Sequence, residues 1–378
     1  MAKILVLGGG FAALAAVEVL SKEVGDRAEI TVVSANDEFI FYPALIPMVF
    51  GDFEPEELHF NIRQTLLKRG INFVEAKVTK LEPESQKVSV ISGNVVEILD
   101  FDYLLVAIGR SLSMTEIPGF SEYAHHVLGI ASALKFRNAV SDFDSGSIVV
   151  GLCPDAFLPV PVCEAALALA RKFDRKIADG EISVTAVFPS TLDNAFAGSA
   201  LFRDLDTEFE NKKINLVSDF PIASVHSEAI VSNVGPAINY DLLMLVPPLR
   251  GQKHDTNILP FANEEGFVRV NEFMQVDGFD RIYAAGDIID LPGPKFGYMA
   301  VRQGKVAARN IISQIQRKEP STEYTHNIAW VIAEKYTDPV FFHYGFWDET
   351  LTDFDESTFF GMAKRIRDRY GPVKSPDI

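Results

Sequence analysis

The sequence predicts an α/β protein of two Rossmann-like, doubly wound domains, the second inserted in the first, followed by a C-terminal segment. Three observations carry that prediction: a strand, glycine-turn and helix pattern at the N-terminus, a strand, helix and strand order that starts afresh near residue 147, and a late strand ending in Gly286-Asp287. Residues 3–7 form a short apolar run, Gly8, Gly9 and Gly10 interrupt it, and apolar residues from Phe11 onward recur at helical spacing. The β-branched run Ile30 to Val33 then completes a βαβ unit of about 30 residues. Glycines suit a tight turn and not the short apolar helix of a leader peptide, so the chain reads as mature from Met1. The aromatic- and proline-rich stretch 41–51 reads as a loop that serves a ligand. A helix is expected over 59–69, strands over 71–78 and 87–92, and a buried strand over 102–109. The second domain shows a strand over 147–151, a helix over 164–173 and a strand over 181–188. Strands at 242–248 and 281–287 and a helix over 300–316 follow. The expected boundaries are therefore 1–112 and 236–320 for the first domain, 113–235 for the inserted one, and 321–378 for the C-terminal segment.

The 378 residues carry 35 Lys+Arg against 52 Asp+Glu, a formal net charge of -17. Such a charge repels phosphate backbones, so nucleic acid is not an expected partner. Cys153 and Cys163 are too few for a disulfide scaffold and fit no zinc spacing, which points to a reducing, cytoplasmic setting without structural metal. No apolar run reaches the roughly 18–20 residues that span a bilayer, so any membrane contact would be peripheral. The tail offers one such surface. Residues 357–370 place Phe359, Met362, Ile366 and Tyr370 on one helical stripe, with Lys364, Arg365, Arg367 and Arg369 around it. Two accounts fit this pattern: a helix packed on its own chain or on a homodimer partner, and a helix lying in an anionic membrane interface.

Chemistry concentrates at two places. Gly8, Gly10 and Ala13 make a Gly-x-Gly-x-x-Ala pattern between a strand and a helix. The first glycine makes the turn, Gly10 lets a dinucleotide pyrophosphate approach the backbone at the helix N-terminus, and Ala13 lets helix and strand pack closely. Ser34 ends the second strand, where an acidic residue usually holds the adenosine ribose; its hydroxyl, or nearby Asp37, is the candidate contact. The other place is Ala284-Ala285-Gly286-Asp287; a lone Asp after a strand is by itself most often a turn or cap residue.

Taken together, the N-terminal glycines, Ala107-Ile108-Gly109 and Gly286-Asp287 resemble the flavoproteins with two dinucleotide-binding domains, the pyridine nucleotide-disulfide oxidoreductase superfamily. Stretches 41–51, 245–251 and 294–311 are similar to segments of sulfide:quinone oxidoreductases, a branch shared with type II NADH dehydrogenases. The resemblance covers residues 1–320. It implies FAD as the cofactor, with Asp287 on the ribityl chain and further contacts at Phe11, Ala12, Pro43, Val78, Ala107, Gly109 and Gly297. It also implies Lys295 near the flavin pyrimidine, where a cation stabilises incoming negative charge, and Glu164 as an acid or base. A solvated loop cation and a helix-dipole glutamate are the plainer accounts of those two residues.

The sequence departs from that branch at its redox cysteines. Leu158 falls where the branch has a cysteine, and the tail stretch 326–336 has none; Cys153 and Cys163 read as buried, inert thiols. In the second domain, Cys153 and Asp155 occupy the loop where an NADH-binding domain carries its glycine fingerprint, and an acid there repels phosphates. Three functions follow as expectations: an FAD-dependent oxidoreductase passing electrons to a quinone or small redox substrate, a type II NADH:quinone dehydrogenase-like enzyme, or a non-catalytic flavoprotein subunit. His125 and His126 show no third metal ligand, and Trp330, Trp347, His326 and His343 fit a core or a quinone pocket.

Overall fold

In the computed structural model, residues 1–196, 202–252, 258–325, 329–335 and 338–343 are described. Strands β1 (Ala2–Leu7), β2 (Ala28–Ser34), β3 (Asn72–Glu75), β4 (Tyr103–Val106) and β9 (Ile282–Ala284) form one sheet in the order β9-β4-β1-β2-β3. All of its pairings are parallel. The run expected to open the chain as a strand is its central strand, which explains why Ile4 to Leu7 read as apolar without alternation. Helix α1 (Phe11–Glu23) packs against α3 (Gly297–Ile315) through small residues: a Cβ on Gly304 would lie 2.2 Å from the Ala12 carbonyl oxygen.

The second sheet comprises β5 (Gly146–Leu152), β6 (Ile182–Val187), β7 (Ile214–Val217) and β8 (Leu242–Val246), in the order β7-β6-β5-β8 and again wholly parallel. Strand β8 lies after the expected boundary at 236 and pairs with β5 in this sheet. The chain then returns by Leu249–Arg250, which pairs antiparallel with the outgoing Ser111–Leu112. Nothing local marks which sheet β8 joins, because an apolar strand reads the same in either.

Two local readings also change. Stretch 41–51, expected as a loop, folds into a 3-10 turn over Tyr42–Ala44 and a short helix over Leu45–Val49. Pro43 sits in the first turn, where its missing N–H costs nothing, and Leu45, Ile46, Met48 and Val49 are buried. Helix α2 (Val160–Lys172) starts before the expected 164 for the same reason, with Pro161 in its first turn. Residues 59–69 divide into a strand, His59–Asn61, and a helix, Ile62–Leu67. Most of the buried apolar side chains of both domains belong to one cluster, with a smaller one around Phe120, Val149 and Cys153. Among the described residues, no helix is long and apolar enough to cross a membrane. The basic stripe of 357–370, Trp347 and His326 lie outside the described residues, as do the side chains of Trp330 and His343.

Candidate functional site: a dinucleotide cleft

The β1–α1 turn is fixed by its backbone. Gly8 N–H donates to the Val33 carbonyl at 2.7 Å, and Gly8 has φ +113°. A Cβ there would lie 2.1 Å from the Ala107 carbonyl oxygen, so the turn passes the end of β4 at a distance only glycine permits. Around Gly10, in contrast, an added Cβ would meet nothing within 4 Å. Gly10 is the N-cap of α1 and supplies no side-chain cap, so the first N–H groups of the helix face open space. Ala13 does not reach that space; it is fully buried, as its packing role requires.

This turn opens into a cavity of about 640 Å³, within the roughly 300–1,000 Å³ of small-molecule and cofactor sites. Gly286 and Asp287 line the same cavity, 275 and more residues along the chain from the first glycines, because β9 adds beside β4 in the first sheet. The cavity wall also carries Ser34, Pro43, Val78, Ala107 and Gly109. Phe11, Ala12 and Gly297 complete the expected set, with the Phe11 ring edge-on to Phe39 at 4.8 Å. Asp37 is not on the wall: it accepts from Asn61 Nδ2 at 2.6 Å and pairs with Arg63, which leaves Ser34 as the ribose candidate of the two. Sequence reasoning also passed over Asn36, Arg110 and Gln252, which line the cavity. Only Arg110 had a usable sign, a cation directly after the Ala-Ile-Gly turn.

Lys295 lies on the wall and is not a solvated cation. Its ammonium donates to the Ile289 carbonyl at 2.6 Å and to that of Leu291 at 3.4 Å, and sits 5.0 Å from the Phe267 ring centre. Burial holds its pKa below the ordinary lysine value; Asp287 and Asp290 oppose that shift and Arg110 adds to it. Glu164 also lines the cavity but is the fifth residue of α2, beyond the first turn, which weakens the helix-dipole account of it.

The cysteines are elsewhere. Cys153 and Cys163 are fully buried and neither lines the cavity, where Leu158 stands instead. Burial pushes the Cys153 thiol up to about 12 and the Cys163 thiol well above its ordinary value, Glu164 adding to the latter. His125 and His126 are lowered, first by burial and then by neighbouring charge, and no metal-binding group of side chains occurs among the described residues.

The second turn is built differently. Asp155 and Phe157 both have left-handed backbone, and the Asp155 carboxylate accepts from Arg250 Nη2 at 2.9 Å. The Asp155 carbonyl accepts from Leu249 N–H at 3.0 Å. The loop is thus stitched to the returning ribbon strand.

Residues 2–152 match the sequence profile of the family described as pyridine nucleotide-disulphide oxidoreductase. The matched stretch holds the β1–α1 glycine turn and Ala107-Ile108-Gly109. The chain is an FAD-dependent oxidoreductase. Among curated proteins it is similar to the type II NADH:quinone oxidoreductase of Staphylococcus saprophyticus, 23% identical over 347 residues, covering 86% of this chain and 85% of the relative. Among solved structures, the sulfide:quinone oxidoreductase of Aquifex aeolicus superposes with a TM-score of 0.82 at 20% identity, over 91% of this chain and 83% of that one. NDH2 from Plasmodium falciparum in complex with NADH gives 0.71 at 16%, over 98% and 96%. At these identities the structural likeness speaks for the fold.

Proposed function

We propose that this flavoprotein passes electrons from a small donor through FAD to a quinone. The observation that carries this reading is the convergence of the β1–α1 turn and Gly286-Asp287 on one cavity with a strongly apolar stretch of wall. That stretch is Tyr42, Pro43, Ile46, Pro47, Leu158 and Val160, suited to a flat ring without charge. When bound, FAD supplies the two-electron acceptor. The α1 N-terminus receives its pyrophosphate, Ser34 the adenosine ribose, and Asp287 the ribityl hydroxyls. Pro43, Val78, Ala107, Gly109 and Gly297 shape the cleft around it. Lys295, held by two backbone carbonyls, presents a fixed positive charge. Glu164, on the cavity wall, is the residue we assign to give or take the proton that accompanies the electrons. Both similar proteins named as quinone oxidoreductases support the acceptor.

The two cysteines do not serve the donor side as thiolates, since both are buried away from the cavity with raised pKa values. The decisive experiment separates acceptor from donor: reduce the purified yellow protein chemically without oxygen, then add a soluble quinone analogue. Rapid recovery of the oxidised flavin spectrum is expected, and a flavin that quinone leaves reduced would overturn the reading.

A second reading, NADH as donor, is favoured by the name of the staphylococcal relative and opposed by the Asp155 loop. Stopped-flow mixing with millimolar NADH decides it; absence of bleaching removes it. Sulfide and polysulfide tried in the same apparatus complete the comparison, and steady turnover by the chain alone excludes a non-catalytic subunit.

A further inference from the structure

Arg110 follows the Ala107-Ile108-Gly109 turn and pairs with Asp287, which follows the neighbouring strand on the same cavity wall, with Nε 3.0 Å from Oδ2. The two side chains are only 13% and 23% exposed, so water screens this pair far less than a surface ion pair. The turn before it is held as well, because Gln252 Nε2 donates to the Ile108 carbonyl at 3.3 Å. The contact uses Nε alone. Among the described residues, Nη1 and Nη2 have no hydrogen-bond partner, and neither is sealed from solvent. Lys77 and Lys295 are the other cations on this wall, and Lys295 has two of its three donors committed to the carbonyls of Ile289 and Leu291.

These observations pose an electrostatic problem and its solution. A lone carboxylate beside a group that gains negative charge on reduction opposes that reduction. Asp287 is such a carboxylate under the FAD reading, on which this inference rests. We infer that Arg110 is the positioning and charge-balancing residue for Asp287. By taking Oδ2 it fixes the carboxylate plane and leaves Oδ1 for a ribityl hydroxyl. By its charge it cancels the carboxylate's, so that the flavin accepts electrons at a higher potential than Asp287 alone would allow.

The test compares the wild-type holoenzyme with Arg110→Gln, Arg110→Lys and the double variant Arg110→Gln/Asp287→Asn. Flavin midpoint potential is read by equilibration with redox dyes, and FAD affinity by reconstitution of the apoprotein. Arg110→Gln is expected to lower the potential and weaken FAD binding about tenfold, as loss of a charged hydrogen bond does. The double variant is expected to recover the potential without recovering affinity. Arg110→Lys keeps the charge and is expected to hold the wild-type potential with weaker binding. A wild-type potential in Arg110→Gln, even with weaker binding, marks a merely structural role and overturns the inference. So does a lowered potential in Arg110→Lys, the arm that decides should Arg110→Gln not fold. A wild-type apoprotein that takes up no FAD would instead overturn the reading beneath it, and failed re-oxidation by quinone touches the acceptor alone.

Discussion

The two βα turns of this molecule share a topology and differ in everything a nucleotide would feel. After β1, three glycines turn the chain directly into α1, whose uncapped N-terminus opens on the cavity. After β5, residues 153–159 intervene before α2, Asp155 is tied to Arg250, and the N-cap position is Pro159. Both are parallel-sheet turns with the same handed crossover logic, so dinucleotide binding resides in the turn chemistry and not in the doubly wound scaffold.

The sharpest way to break this comparison is one substitution made where the chain enters each turn. Gly8→Ala forces a Cβ onto the Ala107 carbonyl at a positive φ, and unfolding in denaturant should show a loss on the order of 3 kcal/mol or more. Gly151→Ala, near the end of β5, meets side-chain atoms alone: Leu245 Cδ2 at 2.8 Å, Ile222 Cδ1 at 3.3 Å and Val187 Cβ at 3.5 Å, the first two being ends of side chains that can shift. It should cost about 1 kcal/mol. Equal losses would show that the two turns are not under different constraints.

Gly10→Asp comes next. Its side chain projects into open space, so the apoprotein should melt as the wild type does. A carboxylate at the bare helix end should nonetheless cost about 2–4 kcal/mol of FAD binding by repulsion of the pyrophosphate. Flavin fluorescence after desalting reads it, and retained flavin would place the pyrophosphate elsewhere.

The second turn can be probed in the opposite direction. Asp155→Asn removes its charge, half screened at 53% exposure, so NADH-dependent flavin reduction should rise by no more than about fivefold, or ~1 kcal/mol. A larger gain would mean that charge alone, and not the loop's shape, closes this turn to nucleotides.

How much of this could be read from the residues depends on whether the determinant is local. The β1–α1 turn was legible because three glycines between a strand and a helix have few other uses, and Gly286-Asp287 because its neighbours repeat a known order. The meeting of those two stretches was not local; it follows from β9 adding beside β4. The sheet that β8 joins was hidden for the same reason, since its apolar residues fit either sheet and its pairing with β5 is long-range. Arg110 escaped notice because its role exists only opposite Asp287. The 42–49 helix was hidden by prolines that look like breakers yet sit in first turns.

The smallest expected effects concern the thiols. Ionisation of Cys153 requires pH near 12, and that of Cys163 is pushed up as well, because burial disfavours both thiolates. An alkylating reagent at pH 8 should therefore leave the native protein unlabelled and modify both thiols after unfolding. The sign for stability follows: as pH passes the ordinary thiol range, unfolded thiols ionise and buried ones do not, so stability declines with rising pH. Cys153→Ala and Cys163→Ala should leave flavin reduction unchanged; a lost donor reaction would reopen thiol chemistry.

The antiparallel ribbon of Ser111–Leu112 and Leu249–Arg250 carries one more implication. Departure from and return to the first sheet's half occur side by side, although the two halves also share one apolar cluster. The inserted half contributes Leu158, Val160 and Glu164 to the cleft. It thereby forms one face of the cleft, and a chimera that exchanged residues 113–246 would replace that face alone.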